Sequence, residues 1–220
     1  MWIQKDKILQ HKILLELGIK HFIIVKKYVD NIVFRKEIFN SFNLDYDKLI
    51  TAGQVHQDKI YKINFSDIGQ KISGVDGLIS DLKNIPIGIF TADCVPLFIV
   101  NKKINLYGLI HIGWRGLSKN IIFSAMKFFN NDKNNIIVVL GPHICYKCYT
   151  VDKNVGNLFP KSFVHNKLNL SNEIKLQLNE FGITDNKIFS SQYCTYHTYD
   201  LFYSYRKGDK DKRIISVISA

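Results

Sequence analysis

The sequence lacks the marks of several large classes of protein. No run of about eighteen apolar residues is present, which argues against a transmembrane helix. Proline is scarce, with four residues in 220, and no proline-rich linker, repeat or low-complexity tract divides the chain. Residues 1–6 lack the basic and apolar regions of a signal peptide. We therefore expect one cytoplasmic domain over residues 1–220.

Several catalytic and nucleotide-binding motifs are also missing. The chain has no G-x-S-x-G elbow, no P-loop and no G-x-G-x-x-G fingerprint. The α/β-hydrolase, P-loop and dinucleotide-binding classes therefore have no support. Any functional site has to be assembled from residues that lie far apart in the sequence.

Arginine is rare although the chain is basic. Only four of the 30 basic residues are arginine, and the formal net charge is +11. Two aspartates interrupt the densest basic run, residues 206–213, which is typical of a solvated loop. Nucleic-acid binders usually concentrate their charge on one face, so a basic nucleic-acid-binding module is the weaker, non-enzymatic alternative. A modest positive field that attracts anionic small molecules is compatible with this composition.

Cysteine is infrequent, and its context favours ligation or catalysis over disulfides. The chain has four cysteines and no secretion signal. Cys145 and Cys148 have C-x-x-C spacing. A redox role would need this pair at a helix start in a thioredoxin-like unit, and a structural zinc site would need a second ligand pair. Neither context is evident from the sequence, so we assign the pair no role.

Hydrophobic periodicity predicts a mixture of strands and helices. Residues 48–55 predict a strand, with residues 59–63 as its hairpin partner. Helices are predicted over residues 118–129 and 172–181, and a closing strand over residues 214–218. One mixed α/β domain is the simplest account.

The most informative segment is HIGWRG at residues 111–116. It follows the apolar residues 106–110, which predict a strand. Its two glycines keep the backbone slim, so that a ligand can approach. His56 and Cys94 also follow apolar runs, so we expect them, like the histidine of this segment, at strand ends.

His56, Cys94 and His111 together form a donor set that suits zinc. Two imidazoles and one thiolate leave a fourth position for water or substrate, which is typical of catalytic rather than structural zinc. Zinc lowers the pKa of bound water to about 7, so that hydroxide is available at neutral pH. A metal-free nucleophile–base pair of Cys94 and His111 is the alternative.

Other residues are candidates for binding substrate or supporting the metal ligands. The guanidinium groups of Arg115 and Arg206 suit phosphate or carboxylate. Trp114 either stacks on a base or fills the core. Asp93 either orients one of the histidines or satisfies a turn. Asp76, in a turn flanked by glycines, is either a turn former or a substrate-binding residue.

Several short segments follow one another in a characteristic order. They are QVH (54–56), VDGLI (75–79), TADCVP (91–96), HIGWRG (111–116), GPHI (141–144), CT (194–195) and FYSYR (202–206). Together they resemble the YfiH/laccase-domain family, and the resemblance covers about residues 20–218. Members of that family are variously labelled multicopper polyphenol oxidase, peptidoglycan editing factor and purine nucleoside phosphorylase.

The resemblance implies a mixed α+β fold, a single layered domain with a mixed sheet flanked by helices, related to a bacterial deamidase toxin. It implies a zinc ion held by His56, Cys94 and His111, which also act as the catalytic residues. The implied activity is phosphorolysis of adenosine, inosine and methylthioadenosine, with adenosine deamination as a second reaction. The implied partners are a purine nucleoside and phosphate, with no nucleic acid or membrane, and the chain is expected to be a monomer or homodimer.

Two departures from the family pattern and two rival activities accompany this expectation. Gln57 replaces a glycine, and Thr150 replaces a glutamate, which puts a role for that carboxylate in doubt. A polyphenol oxidase, with copper as the alternative metal, would need a histidine-rich cluster, and seven histidines without closely spaced pairs suit it poorly. A Cys94/His111 hydrolase acting on a peptidoglycan precursor is the other rival.

Overall fold

The computed structural model describes residues 1–129 and 132–220. Its strands are β1 (Trp2–Lys5), β2 (Ile8–His11), β3 (Lys20–Ile24), β4 (Ile50–Ala52), β5 (Ile60–Lys62), β6 (Lys71–Ile72), β7 (Gly77–Ser80), β8 (Ile87–Thr91), β9 (Val95–Asn101), β10 (Leu106–Ile112), β11 (Ile136–Leu140), β12 (Phe163–Val164), β13 (Lys167–Leu168), β14 (Ile188–Phe189) and β15 (Ile214–Ser219). Its α-helices are α1 (Lys12–Glu16), α2 (Lys26–Val29), α3 (Ile32–Ser41), α4 (Trp114–Ser118), α5 (Ile121–Met126), α6 (Lys153–Gly156) and α7 (Leu170–Glu180). Within the described ranges, no helix is both long and apolar enough to cross a membrane.

Two mixed sheets form the centre of the fold. The first has the strand order β1-β2-β3-β15-β8-β4-β6, and the second has the order β14-β11-β9-β10-β7-β5. Most neighbours are antiparallel, but β4 runs parallel to β6 and β8, β5 runs parallel to β7, and β11 runs parallel to β14. The expected mixed α+β class is therefore confirmed, although the chain forms two stacked mixed sheets where one was expected.

Successive side chains on the central strands point to opposite faces of the sheet, and both faces are buried. In β3, Phe22 packs against Phe39 of α3 with ring centroids 5.1 Å apart, while His21 faces Phe98 of the second sheet at 6.3 Å. In β9, Phe98 belongs to the core between the sheets, and Ile99 belongs to a second core that includes residues of α5 and α7. The result is four layers, with helices outside the two stacked sheets.

Two local predictions are wrong. The helix predicted over residues 118–129 has the wrong bounds: Ser118 ends α4, Asn120 has a left-handed backbone with φ of 63°, and α5 covers only Ile121–Met126, followed by a 3-10 turn over Lys127–Phe129. The predicted hairpin between residues 48–55 and 59–63 does not form. Its two strands, β4 and β5, belong to different sheets and pair with β8 and β7 respectively.

The placement of β4 and β5 in different sheets determines where one candidate ligand lies. Residues 53–59 link β4 of the first sheet to β5 of the second, and this connection contains His56. Residues 92–94 likewise cross from β8 to β9 and end with Cys94. His111 shares its face of β10 with Leu109, which lies in the core between the sheets. Two crossing loops and one strand end therefore supply the three candidate ligands.

A neutral histidine is built into the core between the sheets. His21 has no exposed surface, its Nδ1 donates to the Ile19 carbonyl at 2.9 Å, and its Nε2 accepts from the backbone N–H of His11 at 2.7 Å. Only the neutral ring can donate at one nitrogen and accept at the other. Burial lowers the pKa of His21 to about 4.

Acid is therefore expected to destabilise the fold. An unfolded histidine takes up a proton near pH 6.5, whereas His21 resists it down to about pH 4. The stability that neutral His21 contributes is complete above pH 6.5 and is lost as the pH falls from 6.5 to about 4. The loss for one proton is up to about 1.4 kcal/mol per pH unit. Urea unfolding at pH 7 and pH 5 measures the loss. A His21→Gln variant should show a smaller loss, and an equal loss in both proteins would contradict the assignment.

Candidate active site

The fold brings the three predicted metal ligands together. One ligand atom from each of His56, Cys94 and His111 lies within 4.8 Å of the other two. The rings of His56 and His111 meet edge to face, with centroids 4.7 Å apart and an interplanar angle of 76°. His111 is buried, Cys94 is half-buried and His56 is exposed, so the group opens to solvent on the side of His56.

A buried carboxylate holds two of these ligands in place. Asp76 Oδ1 accepts a hydrogen bond from His111 Nδ1 at 2.8 Å, which leaves Nε2 as the ring nitrogen available to a metal. The same carboxylate accepts the backbone N–H groups of Val55, His56 and Gln57 at 3.0, 2.9 and 2.8 Å. Burial alone would raise the pKa of Asp76, but its hydrogen bonds hold that pKa below the usual value. Both oxygens are bonded and the residue is fully buried, so the structure places Asp76 behind the candidate ligands and gives no support to the expected contact with substrate.

Asp93 also differs from its expected role. Its Oδ1 accepts from Thr195 Oγ at 2.6 Å, and its Oδ2 accepts from the backbone N–H of Arg206 at 2.8 Å. Among the hydrogen bonds of the described residues, Asp93 makes none to a histidine. The part expected of Asp93, orienting a metal ligand, is taken by Asp76, while Asp93 joins two loops of the site.

The loop that carries His56 has an unusual backbone. His56 has a φ of 57°, in the left-handed region that residues other than glycine rarely adopt. This conformation turns three successive N–H groups towards one carboxylate, a concave arrangement that suits an anion. The bonds to Asp76 therefore stabilise a backbone that is costly by itself.

The Cys94 sulfur affects the protonation of the neighbouring imidazole. Burial alone would lower the pKa of His111, but the negative charges of Cys94 and Asp76 raise it to about 9. Burial and the proximity of His111 lower the pKa of His56. A divalent cation that binds this group displaces the His111 proton, because metal ligands must be deprotonated.

Gly113 leaves room for the ligand set. A Cβ at this position would lie 3.0 Å from Cys94 Sγ and 3.6 Å from His56 Nδ1. A larger residue would therefore press on two of the three donors. At Gly116 the slim backbone instead serves packing, since a Cβ would lie 3.2 Å from the Gln57 carbonyl.

A cavity of about 540 Å³ is lined in part by the three ligands. Four cationic side chains also line it, those of Lys71, Arg115, Arg206 and Arg213. Among the described residues, Asp93 supplies the one carboxylate on its wall, and both oxygens of that group are already bonded. The cavity therefore has a positive field that favours an anionic ligand.

Arg115 and Arg206 lie over aromatic rings of the cavity wall. Arg115 Cζ is 4.5 Å from the ring centroid of Trp114, and Arg206 Cζ is 5.0 Å from that of Tyr149. Arg206 Nη1 also donates to the Thr150 carbonyl at 2.8 Å. Stacking of this kind leaves guanidinium N–H groups at the edge of the plane available to an anion. Trp114 is half-buried and lines the cavity.

Arg213 and Lys71 line the cavity but are not predicted from the sequence to belong to a site. Arg213 ends the basic run at residues 206–213, and this run folds so that the arginines at both of its ends line the cavity. The signal available in the sequence was the rarity of arginine. Gln57, one departure from the family pattern, is not among the residues that line the cavity, and its side chain bonds to Lys119.

A family model and several named proteins match most of this chain. A family model described as multi-copper polyphenol oxidoreductase laccase matches residues 30–220. A Bacillus subtilis protein named purine nucleoside phosphorylase YlmD is 30% identical over 216 residues, which cover 87% of this chain and 78% of that protein. A Campylobacter jejuni protein named purine nucleoside phosphorylase Cj1217c is 30% identical over 202 residues, which cover 84% of this chain and 86% of that protein.

Solved structures share the fold. YlmD from Geobacillus stearothermophilus matches with a TM-score of 0.88 at 24% identity, over 99% of this chain and 98% of that one. A Bacillus licheniformis hypothetical protein YfiH matches with a TM-score of 0.88 at 23% identity, over the same shares of the two chains. Together with the family match and the two relatives at 30% identity, these likenesses confirm that the chain belongs to the YfiH/laccase-domain family, as its motifs predict.

Proposed function

We propose that this chain is a zinc-dependent purine nucleoside phosphorylase that acts on adenosine, inosine and methylthioadenosine. We further propose adenosine deamination as a side activity, and that residues 1–220 act as one catalytic domain in the cytoplasm. The observation that carries the proposal is the convergence of His56, Cys94 and His111 on the wall of a cation-lined cavity. The names of the relatives at 30% identity support it.

The three ligands fit a catalytic zinc ion. Two imidazoles and a thiolate are donors that zinc prefers, and three protein ligands leave a position for a reactant. Asp76 fixes the ring orientation of His111, as carboxylates do for the histidine ligands of zinc. When bound, zinc supplies Lewis acidity and lowers the pKa of a bound water.

The cationic wall fits the phosphate co-substrate. In phosphorolysis a phosphate oxygen forms a bond to ribose C1′ while the bond from C1′ to the purine N9 breaks, and the departing purine takes up a proton. Arg115 and Arg206 can hold the phosphate by charge-assisted hydrogen bonds, with Lys71 and Arg213 neutralising its remaining charge. Holding both reactants in one cavity supplies much of the rate enhancement, because it removes the entropy cost of a bimolecular encounter.

The aromatic part of the wall fits the purine ring. Phe90, Trp114, Tyr149 and Tyr205 line the same cavity. A flat heterocycle that stacks on one of these rings buries its apolar faces and leaves its edges for hydrogen bonds. The cavity therefore offers separate surfaces for the base and for the phosphate.

A metal-free cysteine hydrolase is a second candidate, favoured by one observation. Cys94 Sγ lies within 4.8 Å of a ring nitrogen of His111, as a nucleophile–base pair requires, and the neighbouring sulfur helps to raise the pKa of His111 to about 9 against the opposing effect of burial. The cationic cavity has no part in that chemistry unless the substrate is anionic. Sensitivity to chelators separates the two candidates, because a thiol nucleophile keeps its activity without metal.

Removal of the Cys94 thiol tests the metal site directly. Cys94→Ala should lose the zinc bound at this site and should lower ribose 1-phosphate formation from inosine by more than the roughly 10–100-fold typical of losing an outer hydrogen-bond partner. Metal analysis and an anaerobic assay with inorganic phosphate measure both effects. Chelation of the wild-type protein should abolish activity, and zinc should restore it. Full ribose 1-phosphate formation after chelation would contradict the zinc dependence, and strict dependence of that product on oxygen would contradict phosphorolysis, which consumes no oxidant.

Substitution of the orienting carboxylate tests its role apart from catalysis. Asp76→Asn keeps the size of the side chain but removes the charge that the His111 ring and the loop N–H groups share. We expect zinc affinity to fall by about 10–100-fold. Competition with a chromophoric chelator measures the affinity. Asp58→Asn, in the same loop, is the matched control, and equal affinities for the two variants would contradict this role.

The assignment of Arg206 to phosphate predicts a selective kinetic effect. Arg206→Gln keeps a hydrogen-bond donor near the Thr150 carbonyl but removes the charge. We expect KM for phosphate to rise on the order of tenfold, about 1.4 kcal/mol, with a smaller change in KM for inosine. Lys207→Gln is the control, because Lys207 lies over Tyr196 and Tyr199 and outside the cavity lining. If the two variants have the same KM for phosphate, Arg206 does not bind it.

A further inference from the structure

A second cluster of metal-ligating side chains lies outside the proposed catalytic site. One donor atom from each of Cys145, Cys148, Cys194 and His197 lies within 4.8 Å of the other three. Cys148 Sγ and His197 Nε2 are 3.1 Å apart. The second ligand pair that the C-x-x-C motif lacked in the sequence is therefore a C-x-x-H pair that the fold places against it.

Two backbone turns, rather than a chance approach of side chains, determine the geometry of this cluster. Cys145 begins a tight turn in which its carbonyl accepts the backbone N–H of Cys148 at 3.0 Å. Cys194 begins a second turn, in which its carbonyl accepts the backbone N–H of Thr198 at 2.8 Å. A parallel bridge between His143 and Cys194 joins the two segments. Each turn therefore presents two donors to the same point.

The Cys194 sulfur is also surrounded as a thiolate ligand is. The backbone N–H of Cys145 donates to Cys194 Sγ at 3.2 Å. Hydrogen bonds from backbone N–H groups stabilise the charged form of an acceptor, and a thiolate is the form of cysteine that binds metals.

We propose that Cys145, Cys148, Cys194 and His197 bind a second zinc ion, in a closed structural site. Three thiolates and one imidazole with two-residue spacings are a common donor set for structural zinc. Zinc–ligand bonds of about 2.0–2.3 Å in a tetrahedron put neighbouring donors roughly 3.3–3.8 Å apart, so the four donors need only small side-chain rotations to enclose an ion. Four protein ligands leave no position for a reactant, so this ion has no place in catalysis.

A disulfide explains the cluster less well than a metal. Any disulfide would join two of the three sulfurs and would leave one thiol and the imidazole of His197 unused. His197 Nε2 lies 3.1 Å from Cys148 Sγ, so the imidazole is a fourth donor beside the sulfurs, and no disulfide would use it. The four cysteine and histidine donors together match a tetrahedral site and no arrangement of disulfides.

The position of the cluster suggests what the ion stabilises. Tyr149, which follows Cys148, lines the catalytic cavity and lies beneath the guanidinium of Arg206. Thr195, which follows Cys194, donates to Asp93 beside the catalytic cysteine. Zinc at the cluster would therefore join two loops that form one wall of the cavity. Its loss should loosen that wall without removing a group that touches substrate.

Zinc binding to the Cys94→Ala variant tests the proposal independently of the proposed activity. This variant lacks one ligand of the catalytic site and keeps all four ligands of the cluster. We expect metal analysis to find two zinc ions per wild-type chain and one per Cys94→Ala chain. Adding His197→Ala to Cys94→Ala should weaken the remaining site by at least tenfold. His165→Asn, at an exposed histidine in another loop, is the matched control and should leave it unchanged.

Two further measurements on the Cys94→Ala protein identify the ligands. Cobalt bound at the cluster should show the sulfur-to-metal charge-transfer absorption of several thiolates, and this absorption should fall in Cys94→Ala/Cys148→Ser. Chelation should lower the Tm of Cys94→Ala by several degrees and make the three remaining thiols reactive. The proposal is overturned if the reduced, zinc-treated Cys94→Ala protein binds no metal, or if all three thiols react at the same rate with and without zinc. If the wild-type protein binds a single zinc ion and Cys94→Ala still binds it, the result supports the cluster site and contradicts the proposed catalytic zinc site.

Discussion

The site depends on the carboxylate of Asp76. One oxygen accepts a hydrogen bond from His111 Nδ1. The two oxygens together also accept hydrogen bonds from three backbone N–H groups of the loop that carries His56. The carboxylate has no exposed surface and its hydrogen-bonding capacity is filled, so the desolvation of a buried charge is offset by hydrogen bonds on every side. The ring of His111 and the backbone of His56 are thereby coupled to a single buried group, and neither can shift without breaking hydrogen bonds to it.

The stacking of two sheets explains why such distant residues meet. His56 and Cys94 lie in connections that pass from the first sheet to the second, and His111 lies near the end of β10 in the second sheet, on the face that packs against the first. Strands buried on both faces are rigid, and the apolar residues of β9 and β10 are buried throughout. Rigid strands at the base and short crossing loops above them hold three donors at a fixed separation, as a metal site requires.

The sequence was sufficient to predict part of this arrangement. Apolar runs that end at His56, Cys94 and His111 indicated strand ends, and the order of the motifs indicated the family. Pairing could not be predicted, because β-strand partners are chosen by tertiary packing, so residues 59–63 were assigned to the wrong sheet. The roles of Asp76 and Asp93 were also beyond the sequence, since both residues occupy turns and only the folded backbone decides which carboxylate faces a histidine.

The central position of β15 has a consequence for the order in which the chain can fold. This strand comes later in the sequence than every other described strand, yet it pairs with both β3 and β8 in the middle of the first sheet. Contacts of such large sequence separation close slowly, because long loops must be ordered first. A chain still emerging from the ribosome would have neither this strand nor the arginine immediately before it in place. The first sheet and the cavity can therefore become complete only after this last strand has been synthesised.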